Sequence, residues 1–154
     1  MDSQLSVKVN SYQQFEQMAP DVLSALQAMG KAVDDSGLAK ELTELMKIRV
    51  SQMNHCAFCT QYHQNIARRL GVEAVKIDLV TVWRDAGVFS AREMAALEWA
   101  EKVTTLSELD ASKSQDSILG DHFSESEKTY LTVAIAHINA WNRIAGTLHF
   151  PPLS

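Results

Sequence analysis

The sequence predicts an all-α domain whose helices pack around one core. Strand signals are nearly absent, because no alternating run of Val, Ile and Thr bounded by turn residues occurs in the chain. Apolar residues instead recur at helical spacing along most of its length. The 154 residues fit a single domain, residues 1–154, with a loose N-terminal arm at residues 1–10.

The first half of the chain is expected to hold four helices. A short helix covers residues 12–18, and Pro20 suits the first position of a second helix that reaches about Ala32. Asn54 is expected to cap a fourth helix, which starts near His55 and ends before Gly71. The third helix, residues 38–53, carries one apolar face made of Leu38, Leu42, Leu45, Ile48 and Met53.

The second half begins with a short helix over about 73–81. Ser90 opens the next helix, because a glutamate three residues later completes the capping-box spacing. The segment 107–124 is polar and less regular, with one or two helical turns near 114–119. Ser124 repeats the capping-box spacing ahead of a long final helix, residues 125–147.

Composition excludes several classes of partner. The net charge is -5, from 14 Lys+Arg and 19 Asp+Glu, and no basic block stands out, so nucleic acid is not an expected partner. The N-terminus has no basic and apolar signal segment, and no apolar run approaches the roughly 18 residues needed to cross a bilayer. We therefore expect no membrane partner and a cytoplasmic location, where a close cysteine pair is more often catalytic or metal-binding than structural.

The only two cysteines of the chain lie three residues apart, and a histidine follows one turn later. On a helix, Cys56, Cys59 and His63 fall in one narrow stripe that Ile66 and Leu70 continue. The thiols and the imidazole are thus expected to face the apolar, partly buried side. Two thiols at this spacing can close a disulfide with little backbone movement, and the imidazole can take up or supply the proton involved. Redox catalysis is the leading hypothesis.

Two other interpretations of these three residues remain open. Cys56, Cys59 and His63 could bind zinc, although structural zinc takes four ligands and three on one helix would give strained tetrahedral geometry. They could also be core residues, with two small buried thiols and a hydrogen-bonded histidine. A cysteine pair with a histidine on the same stripe favours the dithiol couple, in which His63 acts as the proton acceptor.

Other polar residues carry weaker signals. Glu44 lies at the edge of the apolar face of its helix, where a solvated carboxylate is the ordinary interpretation. Arg49 falls among the leucines of that helix, which predicts an ion pair that holds helices together. His137 and Trp141 share a face of the last helix and are predicted to be core or interface residues. That helix has a broad apolar surface, which suggests a subunit contact formed by Tyr130, Leu131, Ile138, Trp141 and Ile144.

The segment Glu44–His63 resembles the core of the AhpD-like alkylhydroperoxidases, which belong to the carboxymuconolactone decarboxylase superfamily. Its pattern of Glu, Cys-x-x-Cys and His fixes four residues in about twenty, so the motif is fairly specific. The runs Ala91–Glu101 and Ile138–Arg143 are similar to later helices of family members. The likeness covers most of residues 38–150.

The resemblance implies an all-helical fold that assembles as a homotrimer or homohexamer. It implies that Cys59 is the peroxidatic cysteine, that Cys56 is the resolving cysteine, and that Glu44 and His63 form a proton relay. Founding members carry a second histidine inside the Cys-x-x-Cys motif where this chain has Phe58, so the relay is expected to be shorter or to use water. The implied partners are a hydroperoxide substrate and a dithiol reductant, either of the dihydrolipoamide type or a thioredoxin-like protein, with no cofactor and no metal.

Helix electrostatics distinguishes the two thiols. Cys56 would lie in the first helical turn if Asn54 caps the helix, and anions are stabilised there, whereas burial opposes a thiolate at Cys59. We therefore expect Cys59 to react with the hydroperoxide, as the family implies, and Cys56 to be the sulfur more accessible to the reductant. The alternative from a different class is a non-catalytic redox-sensing or binding module whose disulfide switches contacts without turnover.

Overall fold

The computed structural model describes residues 8–110, 112 and 114–153, and this part of the chain is helical with no strand. The predicted all-α class is therefore confirmed for these residues. Most of the predicted arm, residues 1–7, lies outside the described residues. The helices are α1 (Tyr12–Met18), α2 (Pro20–Asp35), α3 (Lys40–Met53), α4 (Ala57–Arg69), α5 (Ala74–Leu79), α6 (Trp83–Ala86), α7 (Ala91–Thr104), α8 (Gln115–Leu119) and α9 (Glu125–Thr147).

Local sequence signals account for most helix starts. Pro20 occupies the first turn of α2, as predicted. The Ser90 hydroxyl accepts from the Glu93 N–H while the Glu93 carboxylate accepts from the Ser90 N–H, which confirms the capping box of α7. The Ser124 hydroxyl likewise accepts from the Glu127 N–H at the start of α9. These caps satisfy N–H groups that have no partner inside the helix.

Several helix boundaries differ from the predicted ones, and one short helix was not predicted. Helix α2 extends to Asp35, beyond the expected end at Ala32, and stops where Ser36 caps it and Gly37 takes a left-handed φ of 87°. The helix Trp83–Ala86 was not predicted, because a single turn is too short to show an apolar periodicity.

The connection between α3 and α4 is wrongly predicted by the sequence. Asn54 is the C-cap of α3, and the N-cap of α4 is Cys56. His55 has a left-handed φ of 55°, and the N–H groups of His55 and Cys56 donate to the carbonyls of Gln52 at 3.2 Å and Ser51 at 3.0 Å. This pair of bonds is the Schellman pattern that ends a helix. Cys56 therefore lies at the entrance of α4 and not on its apolar stripe.

Helix α3 is the centre of the fold, since nine of its fourteen residues are buried. The buried apolar side chains around it form three adjoining clusters, so the expected single core is subdivided. The first cluster joins α3 to α7, α8 and α9, and the second joins α3 to α5, α6 and α7. The third contains both cysteines and lies between α1, α2, α4 and the end of α9. Trp141 packs against the first and the third cluster.

The apolar face of α9 is partly covered within the chain. Leu131 and Ile138 are 0% and 1% exposed, and Tyr130, Trp141 and Ile144 pack against the buried clusters. Leu131 and Ile138 are therefore unavailable to a second subunit, whereas Tyr130, Trp141 and Ile144 are partly exposed, so a subunit contact at this face stays a prediction. No helix in the described part of the chain is long and apolar enough to span a membrane.

Candidate functional site

A disulfide joins Cys56 to Cys59 at the start of α4, with the two Cα atoms 5.3 Å apart. Because Cys56 is the N-cap, its sulfur accepts the backbone N–H of Cys59 at 3.2 Å. An N–H donor and the positive end of a helix both favour a thiolate at this position. Each cysteine is only 3% exposed, so the bond lies just beneath the protein surface.

A buried carboxylate and imidazole face each other across α3 and α4. Oε2 of Glu44 bonds to Nδ1 of His63 at 2.6 Å, and Oε1 accepts from Nζ of Lys47 at 3.0 Å. Glu44 is 1% exposed, so the expectation of a solvated carboxylate is wrong. A carboxylate can be buried to this extent because both of its oxygens are bonded to nitrogen groups. Since Nδ1 of His63 is engaged by Glu44, Nε2 is the nitrogen left to exchange protons.

At neutral pH the carboxyl group is charged and the imidazole is neutral. Burial acts to raise the pKa of Glu44, but the hydrogen bonds and charges of His63 and Lys47 outweigh it and hold that pKa below its usual value. Burial lowers the pKa of His63 despite the opposing effect of Glu44, and the neighbouring ammonium groups of Lys47 and Lys40 lower it further. Glu44 is therefore ionised and His63 is a neutral base.

A cavity of about 380 Å³ brings these groups together with one of the sulfurs. Cys59, Glu44 and His63 all line it. Its apolar wall is aromatic: Phe58 stacks on Tyr12 and on Tyr62, with ring centroids 6.2 and 6.1 Å apart. The side chain that replaces the founding members' second histidine thus forms part of an apolar wall and adds no proton carrier.

The other sulfur borders a different opening. Cys56 lines a shallow depression that shares none of its lining residues with the cavity at Cys59. The structure therefore brings Cys59, His63 and Glu44 to one cavity and places Cys56 on the opposite side of the disulfide. In the described part of the chain, no three side chains of His, Cys, Asp or Glu are grouped so that they could hold a metal ion.

Two buried polar residues of the cavity wall were not assigned to a site from the sequence. Lys47 is 7% exposed and pairs with Glu44, and the signal available was its position three residues after Glu44 on the same helix. His137 lines the cavity and donates from Nε2 to the Leu26 carbonyl at 2.7 Å, whereas the sequence predicted only a core or interface residue. Burial lowers the pKa of His137 as well.

The predicted structural ion pair of Arg49 is present away from the cavity. Nε of Arg49 bonds to Glu101 at 2.8 Å, which ties α3 to α7. The same carboxylate accepts from Nε1 of Trp83 at 2.9 Å and from Arg84 at 2.7 Å. Neither Arg49 nor Glu101 lines the cavity or the depression, so this cluster stabilises the fold.

Known proteins share parts of the sequence of this chain and its helical fold. The chain is similar to the uncharacterised protein YdfG of Bacillus subtilis, with 33% identity over 92% of this chain and 93% of that protein. The crystal structure of a candidate AhpD antioxidant defence protein of unknown function from Agrobacterium tumefaciens matches with a TM-score of 0.86 and 35% identity, over 91% of this chain and 96% of that one. The debrominase Bmp8 shares the fold at a TM-score of 0.80 and 20% identity, over 92% of this chain and 76% of that one.

The family model of the carboxymuconolactone decarboxylase family matches residues 20–102, which include α2, α3, α4 and therefore Glu44, both cysteines and His63. The AhpD-like structure that matches nearly the whole chain supports the same family assignment. The chain belongs to the carboxymuconolactone decarboxylase family, among its AhpD-like members.

Proposed function

We propose that this protein is a thiol-dependent peroxidase that reduces organic hydroperoxides through the Cys56–Cys59 couple. The observation that carries the proposal is that Cys59 shares one cavity with the Glu44–His63 pair. A neutral imidazole held by a carboxylate is the arrangement that activates a thiol nucleophile. Membership of the AhpD-like proteins supports the same reaction class.

The reaction starts from the reduced couple. Nε2 of His63 takes the Cys59 proton, and the Cys59 thiolate attacks the terminal oxygen of the hydroperoxide. The O–O bond breaks, the alcohol leaves with the proton from His63, and Cys59 becomes a sulfenic acid. Cys56 then gives up its thiol proton and attacks the Cys59 sulfur, hydroxide leaves and takes up that proton as water, and the disulfide forms. Glu44 holds the imidazole in the tautomer that this requires.

The cavity favours an uncharged organic substrate. Lys31 and Lys40 on its rim are paired with Asp35 and Asp34, and Lys47 deeper inside is paired with Glu44. Charges of both signs therefore balance in pairs, and the aromatic wall supplies apolar contact area. A carboxylate-bearing hydroperoxide would have to break one of these pairs to gain a cation, whereas a neutral alkyl or aryl hydroperoxide would not.

The reductant and the assembly are part of the proposal. A dithiol donor would return the disulfide to two thiols by exchange. Family membership supports assembly as a homotrimer or homohexamer, and the partly exposed Tyr130, Trp141 and Ile144 of α9 are a candidate contact. Light scattering during size-exclusion chromatography measures the subunit number, and a monomer at micromolar concentration would contradict the assembly.

The decisive experiment separates turnover from mere oxidation. Reduced, desalted protein is mixed with cumene hydroperoxide, and consumption is followed first without a donor and then with dithiothreitol. We expect one equivalent consumed without a donor and many with it. The Cys56→Ser variant should retain the single equivalent, and the Cys59→Ser variant should lose it.

Two outcomes would contradict the proposal. Disulfide formation without turnover in the presence of the donor would favour the redox-sensing module. Retention of the single equivalent by Cys59→Ser, with loss in Cys56→Ser, would reverse the roles of the two sulfurs.

A further inference from the structure

We propose that Nδ1 of His137 accepts a hydrogen bond from the O–H group of the cavity's ligand and so holds the terminal oxygen of a hydroperoxide for attack by Cys59. The catalytic meaning of this contact rests on the proposed function, to which it adds a substrate-binding residue from α9. His137 is a buried histidine that the proposed reaction does not otherwise use. It lines the same cavity as Cys59 and His63, so a ligand there meets both imidazoles.

The hydrogen bond of His137 fixes which of its ring nitrogens carries the hydrogen. Nε2 lies 2.7 Å from the carbonyl oxygen of Leu26, and because a carbonyl can only accept, Nε2 is the donor. Burial lowers the pKa of His137, and the ammonium group of Lys47 lowers it further, against the opposing effect of the Leu26 bond. The ring is therefore neutral at neutral pH, and Nδ1 carries a lone pair and no hydrogen.

The Nδ1 atom of His137 is free to accept a hydrogen bond from a ligand. No hydrogen bond between described residues engages it, and the buried side-chain atoms that lack a partner in this part of the chain are oxygens of Gln52 and Gln61. Nδ1 is thus neither paired nor enclosed. His137 lines the cavity at Cys59 and not the depression at Cys56, so the cavity is the opening from which Nδ1 is reached.

Helix α2 holds the His137 ring in its orientation. The ring bonds to the Leu26 carbonyl and packs so closely on Gly30 that an added Cβ there would lie 3.0 Å from Cε1. Glycine inside a helix is less favourable than alanine, so this close approach comes with a less stable helix. A ring that is fixed both at Nε2 and along one edge presents Nδ1 in a single direction, which recognition of a ligand group requires.

The two cavity histidines are held as opposite tautomers. Nδ1 of His63 bonds to the Glu44 carboxylate at 2.6 Å, so the free acceptor of His63 is Nε2, whereas the free acceptor of His137 is Nδ1. The rings are close enough for charge on His63 to act on the pKa of His137. In the reduced protein the thiol of Cys59 supplies the hydrogen for His63. The acceptor on His137 is then matched by a hydrogen that the ligand brings, which favours a molecule with an O–H group.

An O–H contact at His137 is compatible with each step of the proposed reaction. The terminal oxygen of a hydroperoxide carries the O–H group, and Cys59 attacks that same oxygen. The O–O bond breaks on its other side, so the hydrogen stays on the oxygen and becomes the O–H of the sulfenic acid. His137 therefore gains and loses no proton, and it holds the attacked oxygen before and after the transfer. A dialkyl peroxide has no O–H group and would leave Nδ1 without a partner, which disfavours its binding.

A matched pair of unreactive probes tests the contact by binding alone. Cumyl alcohol has an O–H group on an apolar aromatic body, and cumyl methyl ether has the same body without the O–H. Reduced protein, in which the Cys59 thiol faces Nε2 of His63, is titrated with each probe and followed by amide NMR. We expect the alcohol to bind about fivefold more tightly than the ether, as one hydrogen bond would give, and this ratio to fall to about one in His137→Phe.

The matched control is His122→Phe, which makes the same substitution at an exposed histidine that lines neither opening and should keep the wild-type ratio. If His137→Phe does not fold, the nitrogen resonance of Nδ1 in wild-type His137 decides, since it should shift with the alcohol and not with the ether. Equal binding of the two probes by the wild type, an unchanged preference in His137→Phe, or an Nδ1 resonance that ignores the alcohol would overturn the inference.

Kinetics separate this contact from activation of the thiol. His137→Phe should raise the KM for cumene hydroperoxide about fivefold with kcat unchanged. In a Cys56→Ser background it should leave alkylation of Cys59 by iodoacetamide unchanged, because iodoacetamide reports the reactivity of the thiol and has no O–H group. An equal loss in both reactions would contradict the inference and assign His137 a structural role. Absence of hydroperoxide turnover in the wild type would refute the peroxidase and not the binding site, which the two probes test independently.

Discussion

Substituting Glu44 by glutamine removes one charge from the buried pair and keeps its shape. Glu44 contributes to the basicity of His63, because its hydrogen bond and its negative charge both act to raise the pKa of that imidazole. The glutamine amide could still bond to Nδ1, but the imidazole would lose the charge that favours its protonated form. A positioned general base contributes about 10²–10⁴-fold to such reactions, so we expect the Glu44→Gln rate with hydroperoxide to fall about 10²-fold.

The same substitution should also lower stability. Nζ of Lys47 is bonded to Glu44 at 3.0 Å, and its side chain is 9% exposed, so the variant leaves a buried ammonium without a counter-charge. The single amide oxygen of glutamine can accept from Lys47 or from Nδ1 of His63 but not from both, so it only moderates the loss. We expect the free energy of unfolding to fall by about 2–3 kcal/mol, below the value for full removal of one partner from a buried pair.

The assay compares two carboxylates in one protein. Reduced enzyme is mixed with cumene hydroperoxide in a quenched-flow instrument, remaining thiols are alkylated, and disulfide formation is counted by mass; urea unfolding gives the stability. The control is Glu101→Gln, which removes a half-buried carboxylate from Arg49, Trp83 and Arg84 but lines neither opening. It should lose stability and keep the rate. A Glu44→Gln rate within about threefold of the wild type would refute the relay.

Three further predictions follow from particular contacts. Burial lowers the pKa of His63 and of His137 from 6.5, so the unfolded chain binds more protons below that pH; stability is complete above about pH 6.5 and falls as pH drops toward the folded pKa values. Urea unfolding at pH 7.5 and 5.5 should show this loss, and His137→Gln should reduce it. Asn142 is 3% exposed and donates to Ser51 at 3.0 Å while accepting from Asn54 at 2.9 Å, so Asn142→Ala should cost about 2–3 kcal/mol in the same assay. A Cβ at Gly30 would lie 3.0 Å from Cε1 of His137 at the cavity wall, so Gly30→Ala should raise the KM for cumene hydroperoxide about tenfold and leave that for hydrogen peroxide unchanged.

Helix positions could be predicted from the sequence wherever a local signal was sufficient. The capping box of α7, the Ser124 cap of α9 and Pro20 of α2 mark helix starts because cap chemistry involves residues only a few positions apart. The α3–α4 turn was mispredicted for the complementary reason. Asn54 is a preferred N-cap residue, and a Schellman ending normally shows a glycine, whereas here His55 takes the left-handed position. Composition alone therefore pointed to the wrong cap.

The site was predictable in its residues but not in its burial. Periodicity placed Glu44 at the edge of an apolar face, and the pairing with His63 came only from the family resemblance. The carboxylate is in fact buried because helix packing brings His63, nineteen residues away, to one oxygen and Lys47 to the other. A contact between residues far apart in the chain leaves no periodic pattern in the sequence. The same holds for His137, whose place in the cavity depends on how α2 and α9 meet.

The N-cap of α4 is Cys56 and not Asn54, and this position gives the two neighbouring sulfurs different environments. Had α4 begun at Asn54, both sulfurs would lie on one stripe and would face the same side. With Cys56 as the cap, its sulfur receives a backbone N–H and borders the open depression, while Cys59 lies one turn in, beside the imidazole cavity. The start of α4 therefore supplies both sulfurs of the proposed cycle. Cys56 would be a stabilised leaving thiolate, and Cys59 would be a nucleophile activated by a base. The turn at His55 that separates them is therefore as important to the proposed cycle as the cysteines themselves.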